Sequence, residues 1–194
     1  MGGMAIQFAA DLHLNHPKVA ELRGFASVED HDRIVLANLA RNAHAGTITY
    51  LVGDVAMGLN KMDCYERLRR TVPGVLRLIL GNHDPMHPGN SNAPELWQKT
   101  QGMFASVGIA AKVNHAGQTY LVSHFPYDGD HTDEERFGQW RLRDLGAPLI
   151  HGHTHSSERR SLSSGGTPQV CVSIDAWGLG PATLGSIASE LSKP

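Results

Sequence analysis

Twelve of the 194 residues are histidine, and they are unevenly placed. Three fall within five positions in LIHGHTHSS (149–157), directly behind an apolar run. If the stretch leaves a strand in extended form, side chains two apart share a face, so His153 and His155 address one point together. That arrangement suits a metal ion or a phosphate. Similar polar clusters follow four other apolar runs: Asp11 and His13, Gly53-Asp54, Gly81-Asn82-His83-Asp84, and Ser123-His124. Pooled, they supply aspartates, an asparagine and several histidines, but no cysteine. Imidazole with carboxylate and amide oxygen suits Mn, Fe, Co, Ni or Zn, and lacks the thiolates of a structural zinc site. Seven ligands are too many for one ion, whereas two ions sharing a carboxylate account for them. Two metals about 3.5 to 4 Å apart clamp the attacking and leaving oxygens of an in-line displacement at phosphorus, and lower the pKa of a bridging water. The reaction class implied is metal-assisted phosphoester hydrolysis.

The elements that must position these residues are legible as short apolar runs at 5–10, 47–52, 75–80, 119–122 and 147–150, each of buried-strand character. Between the first two, the spacing predicts a helix capped by Ser27 with Asp30 three positions on, burying Ile34, Leu36, Leu39 and Ala40 and ending near Gly46. Further helices are predicted over roughly 63–70, 94–104 and 183–191, the last entered through Pro181. Strands alternating with helices imply an α/β core. In open α/β sheets ligands bind at the carboxyl ends of strands, so the five polar clusters should converge on one site. Two turn-rich segments, 85–93 and 125–140, are candidate loops over it.

Composition bounds the alternatives. With 41% hydrophobic and 19% charged residues, the chain reads as one globular domain spanning 1–194. A formal charge of −2 argues against an extended nucleic-acid surface, leaving a nucleotide-sized substrate open. Cys64 and Cys171 lack CxxC spacing and read as small buried hydrophobes. No window approaches a membrane span and the N-terminus lacks a basic signal region, so a cytoplasmic location is expected. Met1 to Gly3 read as a remnant ahead of a start at Met4, and Ile6 stands where a myristoylation motif around Gly2 wants Ser or Thr.

Taken together, DLH (11–13), GD (53–54), GNHD (81–84), SH (123–124) and GHTH (152–155) resemble the calcineurin-like metallophosphoesterases, in that family's order. SIDAWGLGP (173–181) resembles the end of its small bacterial and phage members. The resemblance implies two mixed β-sheets packed face to face with helices outside, an αββα sandwich. It further implies that Asp11, His13 and His155 hold one divalent transition metal, Mn or Fe/Mn favoured over Zn, Co or Ni. Asp54 would bridge, and Asn82, His124 and His153 would complete the second site. His83 would protonate the leaving group, oriented by Asp84, and His151 would support the ligands from behind. Gly53, Gly81 and Gly152 fit sharp turns that bring backbone close to the ions.

Asn15, His16 and His87 are candidate substrate contacts. His31, His44, His115 and His131, the acidic run 128–135, and Arg67, Arg69 and Arg70 read as solvated surface, and Trp177 as core. The second motif reads GDVAMG, without the arginine that continues it in the family's Ser/Thr protein phosphatases. A phosphodiesterase on small, cyclic-nucleotide-type diesters fits best. The alternatives are a nuclease on short RNA or DNA, a phosphomonoesterase, and a catalytically idle metal-binding module.

Overall fold

A computed structural model describes residues 5–57, 61–100, 102–132 and 134–193; Met1 to Gly3, with the myristoylation position, lie outside them. In chain order the strands are β1 (Ile6–Ala9), β2 (Ile48–Val52), β3 (Val75–Ile79), β4 (Ser106–Gly108), β5 (Ala110–His115), β6 (Gln118–Ser123), β7 (Leu149–His151), β8 (Arg160–Leu162), β9 (Pro168–Cys171) and β10 (Ala182–Thr183). The helices are α1 (Pro17–Leu22), α2 (Val28–Ala40), α3 (Lys61–Thr71), α4 (Ala93–Lys99) and α5 (Leu184–Leu191). No described helix is long and apolar enough to cross a membrane.

Two five-stranded mixed sheets form, in the orders β10-β1-β2-β3-β4 and β5-β6-β7-β9-β8. Strand alternation decides which residues face which layer. From β1, the residue after it and β2, Phe8, Ala10, Ile48, Tyr50 and Val52 meet Val113, Tyr120, Val122, Ile150 and Val170 of the second sheet. The intervening Ala9 and Leu51 turn to the opposite face, where Val35, Leu36 and Leu39 of α2 and Tyr65 and Leu68 of α3 cover them. Phe8 and Tyr50 stack at 5.0 Å within the layer between the sheets. Helix α5 closes that layer through Leu184 and Ile187. Beyond the second sheet, Tyr127 donates its backbone N–H to Gln169 of β9 and its hydroxyl to the Ala147 carbonyl, so a loop covers this flank.

All five strands expected from apolar runs are present. The five not anticipated are short or polar: β5 buries only Val113 fully, and β8 carries Arg160 and Ser161 on an edge. Ser27 caps α2 as expected, accepting from the Asp30 N–H at 3.1 Å. The helix stops at Ala40 instead of Gly46, because 41–46 turns back, with His44 Nδ1 accepting from the Gly46 N–H. Its fully buried residues are His31, Asp32, Val35, Leu36 and Leu39, while Ile34 and Ala40 are half-buried. The helix expected to reach Phe104 ends at Lys99, where Thr100 turns its hydroxyl onto the Trp97 carbonyl at 2.9 Å.

Phe8→Ala removes the ring that spaces the two sheets and should lower the unfolding free energy by about 3–5 kcal/mol, measured by urea titration. A loss under about 1 kcal/mol would show that the inter-sheet layer does not carry the fold.

Candidate metal centre

The carboxyl ends of β1, β2, β3, β6 and β7 meet at one place. Backbone bonds fasten the loops there: Asp11 N–H to Gly53 O at 3.0 Å, His13 N–H to Asp54 O at 3.0 Å, and Gly152 N–H to His124 O at 3.0 Å. Two ligand groups result, Asp11 with His13 and His155, and Asp54 with His124 and His153; within each group the ligand atoms all lie within 4.8 Å of one another. The LIHGHTHSS stretch is extended only through His151, the end of β7. His153 and His155 have φ of 70° and 49°, so the backbone turns at each and sends one ring to each group. An alternating strand would have aimed both at one point. Asp11, His13, Asn15 and Asp54 also have positive φ, 56°, 47°, 61° and 53°, placing six strained non-glycine residues in or beside one site. Each costs about 1–2 kcal/mol, which the surrounding hydrogen bonds must offset.

The donor set fits cations. His13 Nε2 and His155 Nε2 face each other at 2.9 Å, and the buried His124 Nε2 and Asn82 Oδ1 have no hydrogen-bond partner. The far nitrogens are mostly held by acceptors: His124 Nδ1 donates to the Val52 carbonyl at 2.8 Å and His155 Nδ1 to Asp175 at 3.0 Å. This is how proteins fix the tautomer of a metal-binding imidazole. Burial opposes the charge on Asp54, yet His124, His83 and His13 hold it well below the usual carboxylate range. His124 feels the same burial, but Asp54 and Asp11 push it up to about 9. Burial takes His153 down to about 4, leaving the neutral ring that a metal requires.

His83 is half-exposed, with Nε2 4.0 Å from Asp54 Oδ2 and its pKa lowered chiefly by burial. Asp84 does not orient it. Its carboxylate is fully buried and accepts the N–H groups of Gly81 (2.8 Å), Asp54 (3.0 Å) and Val55 (3.1 Å), together with the Tyr65 hydroxyl. The loops after β2 and β3 are thus tied to one oxygen pair, which leaves none for the His83 ring. Space is equally tight at Gly81, where a Cβ would stand 2.2 Å from Asp54 Oδ1, and at Gly53, where it would stand 2.3 Å from His124 Nδ1. His151 bonds the Gly152 carbonyl through Nδ1, while its buried Nε2 has no hydrogen-bond partner.

A cavity of about 370 Å³ opens over the two groups, lined by His13, Asp54, Asn82, His83, His153 and His155 and, from further out, by His16, Lys18, Val19, Leu22 and His131. His16 caps α1 by accepting from the Val19 N–H, and its ring lies 5.7 Å from that of His13. Asn15 turns away: its amide reaches the Met57 carbonyl and it lines a different cavity with Arg67 and Arg70. His87 is buried against Trp140 and Phe125, outside the cavity lining.

Several residues read as surface are structural. His31 is fully buried, bonding Asp32 through Nδ1 and meeting Arg23 at Nε2. Arg23 in turn grips both Asp175 oxygens, at 2.7 and 2.8 Å, and the carbonyls of Asp11 and Leu12. Helical spacing hid this, since a histidine beside acidic residues on an amphipathic helix reads as solvated. Asp130, inside the acidic run, has a side chain only 1% exposed and bonds His153 Nε2 at 3.0 Å. His131 is exposed as expected, but it stands at the cavity mouth. His44 and His115 are exposed, and Cys64 and Cys171 are buried and free. Trp177 packs against the inter-sheet core.

Two face-to-face mixed sheets thus carry Asp/His groups at their strand ends, in the motif order found in the sequence. The chain belongs to the family of the gene 66 proteins of mycobacteriophages: it is 40% identical over 179 residues to the Mycobacterium phage D29 protein, covering 89% of this chain and 88% of that one. It is likewise 40% identical over 180 residues to the Mycobacterium phage L5 protein, covering 88% and 86%. A solved structure of a protein of unknown function from Aquifex aeolicus shares the fold, with TM-score 0.70 and 20% identity over 95% of this chain and 98% of that one. No family model matches the chain.

Asp84→Ala strands three buried N–H groups and a phenol, and should lower the unfolding free energy by about 3–5 kcal/mol while weakening Mn²⁺ uptake. Unfolding with and without Mn²⁺ measures both; a variant as stable as the parent would leave Asp84 without this anchoring role.

Proposed function

We propose that the protein is a dinuclear-metal phosphodiesterase acting on small diesters of nucleotide type. The observation that carries this reading is the pair of ligand groups at one cavity, with Asp54 in electrostatic reach of His13, His83 and His124 at once. Asp11, His13 and His155 would hold one divalent ion, and Asn82, His124 and His153 a second, with Asp54 shared. When bound, such ions polarise the phosphoryl oxygens and lower the pKa of a water nucleophile.

The chain's own residues supply the rest. His83 presents Nε2 to the cavity beside Asp54 and can carry a proton to a departing ester oxygen. His16 and His131 also line the cavity as further imidazole donors, while Val19 and Leu22 offer an apolar wall for an ester group. Among the described residues no arginine lines the cavity, and the lysine there, Lys18, is paired with Glu21 at 3.0 Å. A doubly charged monoester asks for more positive charge than this, so a singly charged diester is the better match. Two buried free cysteines suit a reducing cytoplasm.

The test uses metal-stripped protein assayed on a bis-aryl phosphodiester and on the matching monoester, before and after Mn²⁺. Diester cleavage should return with Mn²⁺, exceed monoester cleavage, and fall at least about 100-fold in Asp54→Ala and in His83→Ala. Equal or faster monoester turnover would contradict the diester preference. Absence of turnover with two ions bound would favour the idle module, and competition by single-stranded oligonucleotides would favour the nuclease.

A further inference from the structure

The segment from Phe125 to Arg141 is hydrogen-bonded to the second ligand group through Asp130. Asp130 Oδ2 lies 3.0 Å from His153 Nε2, and since a carboxylate only accepts, the ring nitrogen carries the proton. Asp130 is itself held by Arg136 at 2.7 Å and by the His131 N–H at 2.8 Å, with Arg141 3.6 Å away. Arg141, 5% exposed, also donates to the carbonyls of Pro126 and Arg136, tying the ends of the segment together. Phe125 and Phe137 stack at 5.1 Å and place their rings 4.9 and 5.4 Å from that of His153. Asp130, His131 and His153 also lie close enough to form a ligand group of their own, but two guanidinium groups already balance Asp130.

We propose that Asp130 is a positioning residue for the second metal subsite: by accepting the hydrogen bond of the His153 Nε2–H it keeps the proton on Nε2 and leaves Nδ1 as that ring's ligand atom, and so couples seating of the second ion to the packing of 125–141. The inference rests on the dinuclear reading above. It extends to His153 the arrangement seen at His124 and His155, where one ring nitrogen is held by an oxygen of the protein and the other is left for a ligand. His153 differs in that its holder comes from a surface segment, so the subsite is complete only when that segment is packed. The alternative is that Asp130 competes with the ion for Nε2, in which case removing it would tighten binding.

Calorimetric titration of Mn²⁺ into the metal-stripped full chain, its Asp130→Ala and Asp130→Asn variants, together with amide hydrogen exchange of 125–141, separates the cases. The parent should take up two ions, and Mn²⁺ should slow exchange in the segment. Asp130→Ala should lose about 10–100-fold in affinity for one ion and leave the other unchanged, with Asp130→Asn intermediate because its amide oxygen still accepts. Unchanged or tighter binding by Asp130→Ala, or exchange indifferent to Mn²⁺ in the parent, would overturn the inference. Should Asp130→Ala not fold, Asp130→Asn and the parent's exchange decide it. No uptake by the parent would instead overturn the dinuclear reading itself.

Discussion

A carboxylate removed from water is costly unless cations or N–H donors surround it, and this molecule buries three at the tips of its sheets: Asp11, Asp54 and Asp84, none more than 2% exposed. Each is met differently. Asp84 takes backbone N–H groups and a phenol, Asp54 lies among imidazoles, and Asp11 accepts the His153 N–H across the gap between the sheets at 3.0 and 3.2 Å. The last contact couples the layers, because Asp11 leaves β1 of one sheet and His153 follows β7 of the other. Ala10 reinforces it, exchanging backbone bonds with Val172 and Ile174 beyond β9. The charge arrangement of the site and the meeting of the two sheets are therefore one problem with one solution.

That solution requires sharp turns. Six non-glycine residues with positive φ stand at or next to the ligand positions, and glycines at 53 and 81 admit His124 and Asp54 where a Cβ would collide. Behind the turns a layer of held histidines and carboxylates, Asp175 with Arg23 and Asp130 with Arg136, fixes ring orientation before any ion arrives. Preorganisation of this kind is what an electrostatic site needs, since dipoles already in place cost nothing to turn during reaction.

Much of this was legible in the sequence. The apolar runs marked the central strands, and the motifs DLH, GD, GNHD, SH and GHTH named the residues that the fold brings together. Periodicity failed where local chemistry overrides it: the two GHTH histidines part because of left-handed turns that no alternation pattern reveals. It also failed at the supporting residues. His31 and Asp130 sit in stretches whose composition reads as solvated, and their burial depends on Arg23 and Arg136, cations that carry no motif. Edge strands such as β5 and β8 were invisible because one face or both are polar. Asp84, adjacent to His83 in sequence, points away from it because the nearest orphaned N–H groups lie across the β2 loop.

The central claim is that two ions share Asp54, and electron paramagnetic resonance of the metal-stripped protein titrated with Mn²⁺ tests it directly. At two equivalents the account predicts the multiline spectrum of a spin-coupled manganese pair, replaced in Asp54→Ala by the signal of isolated Mn²⁺. An isolated-ion spectrum from the parent at every stoichiometry would contradict it.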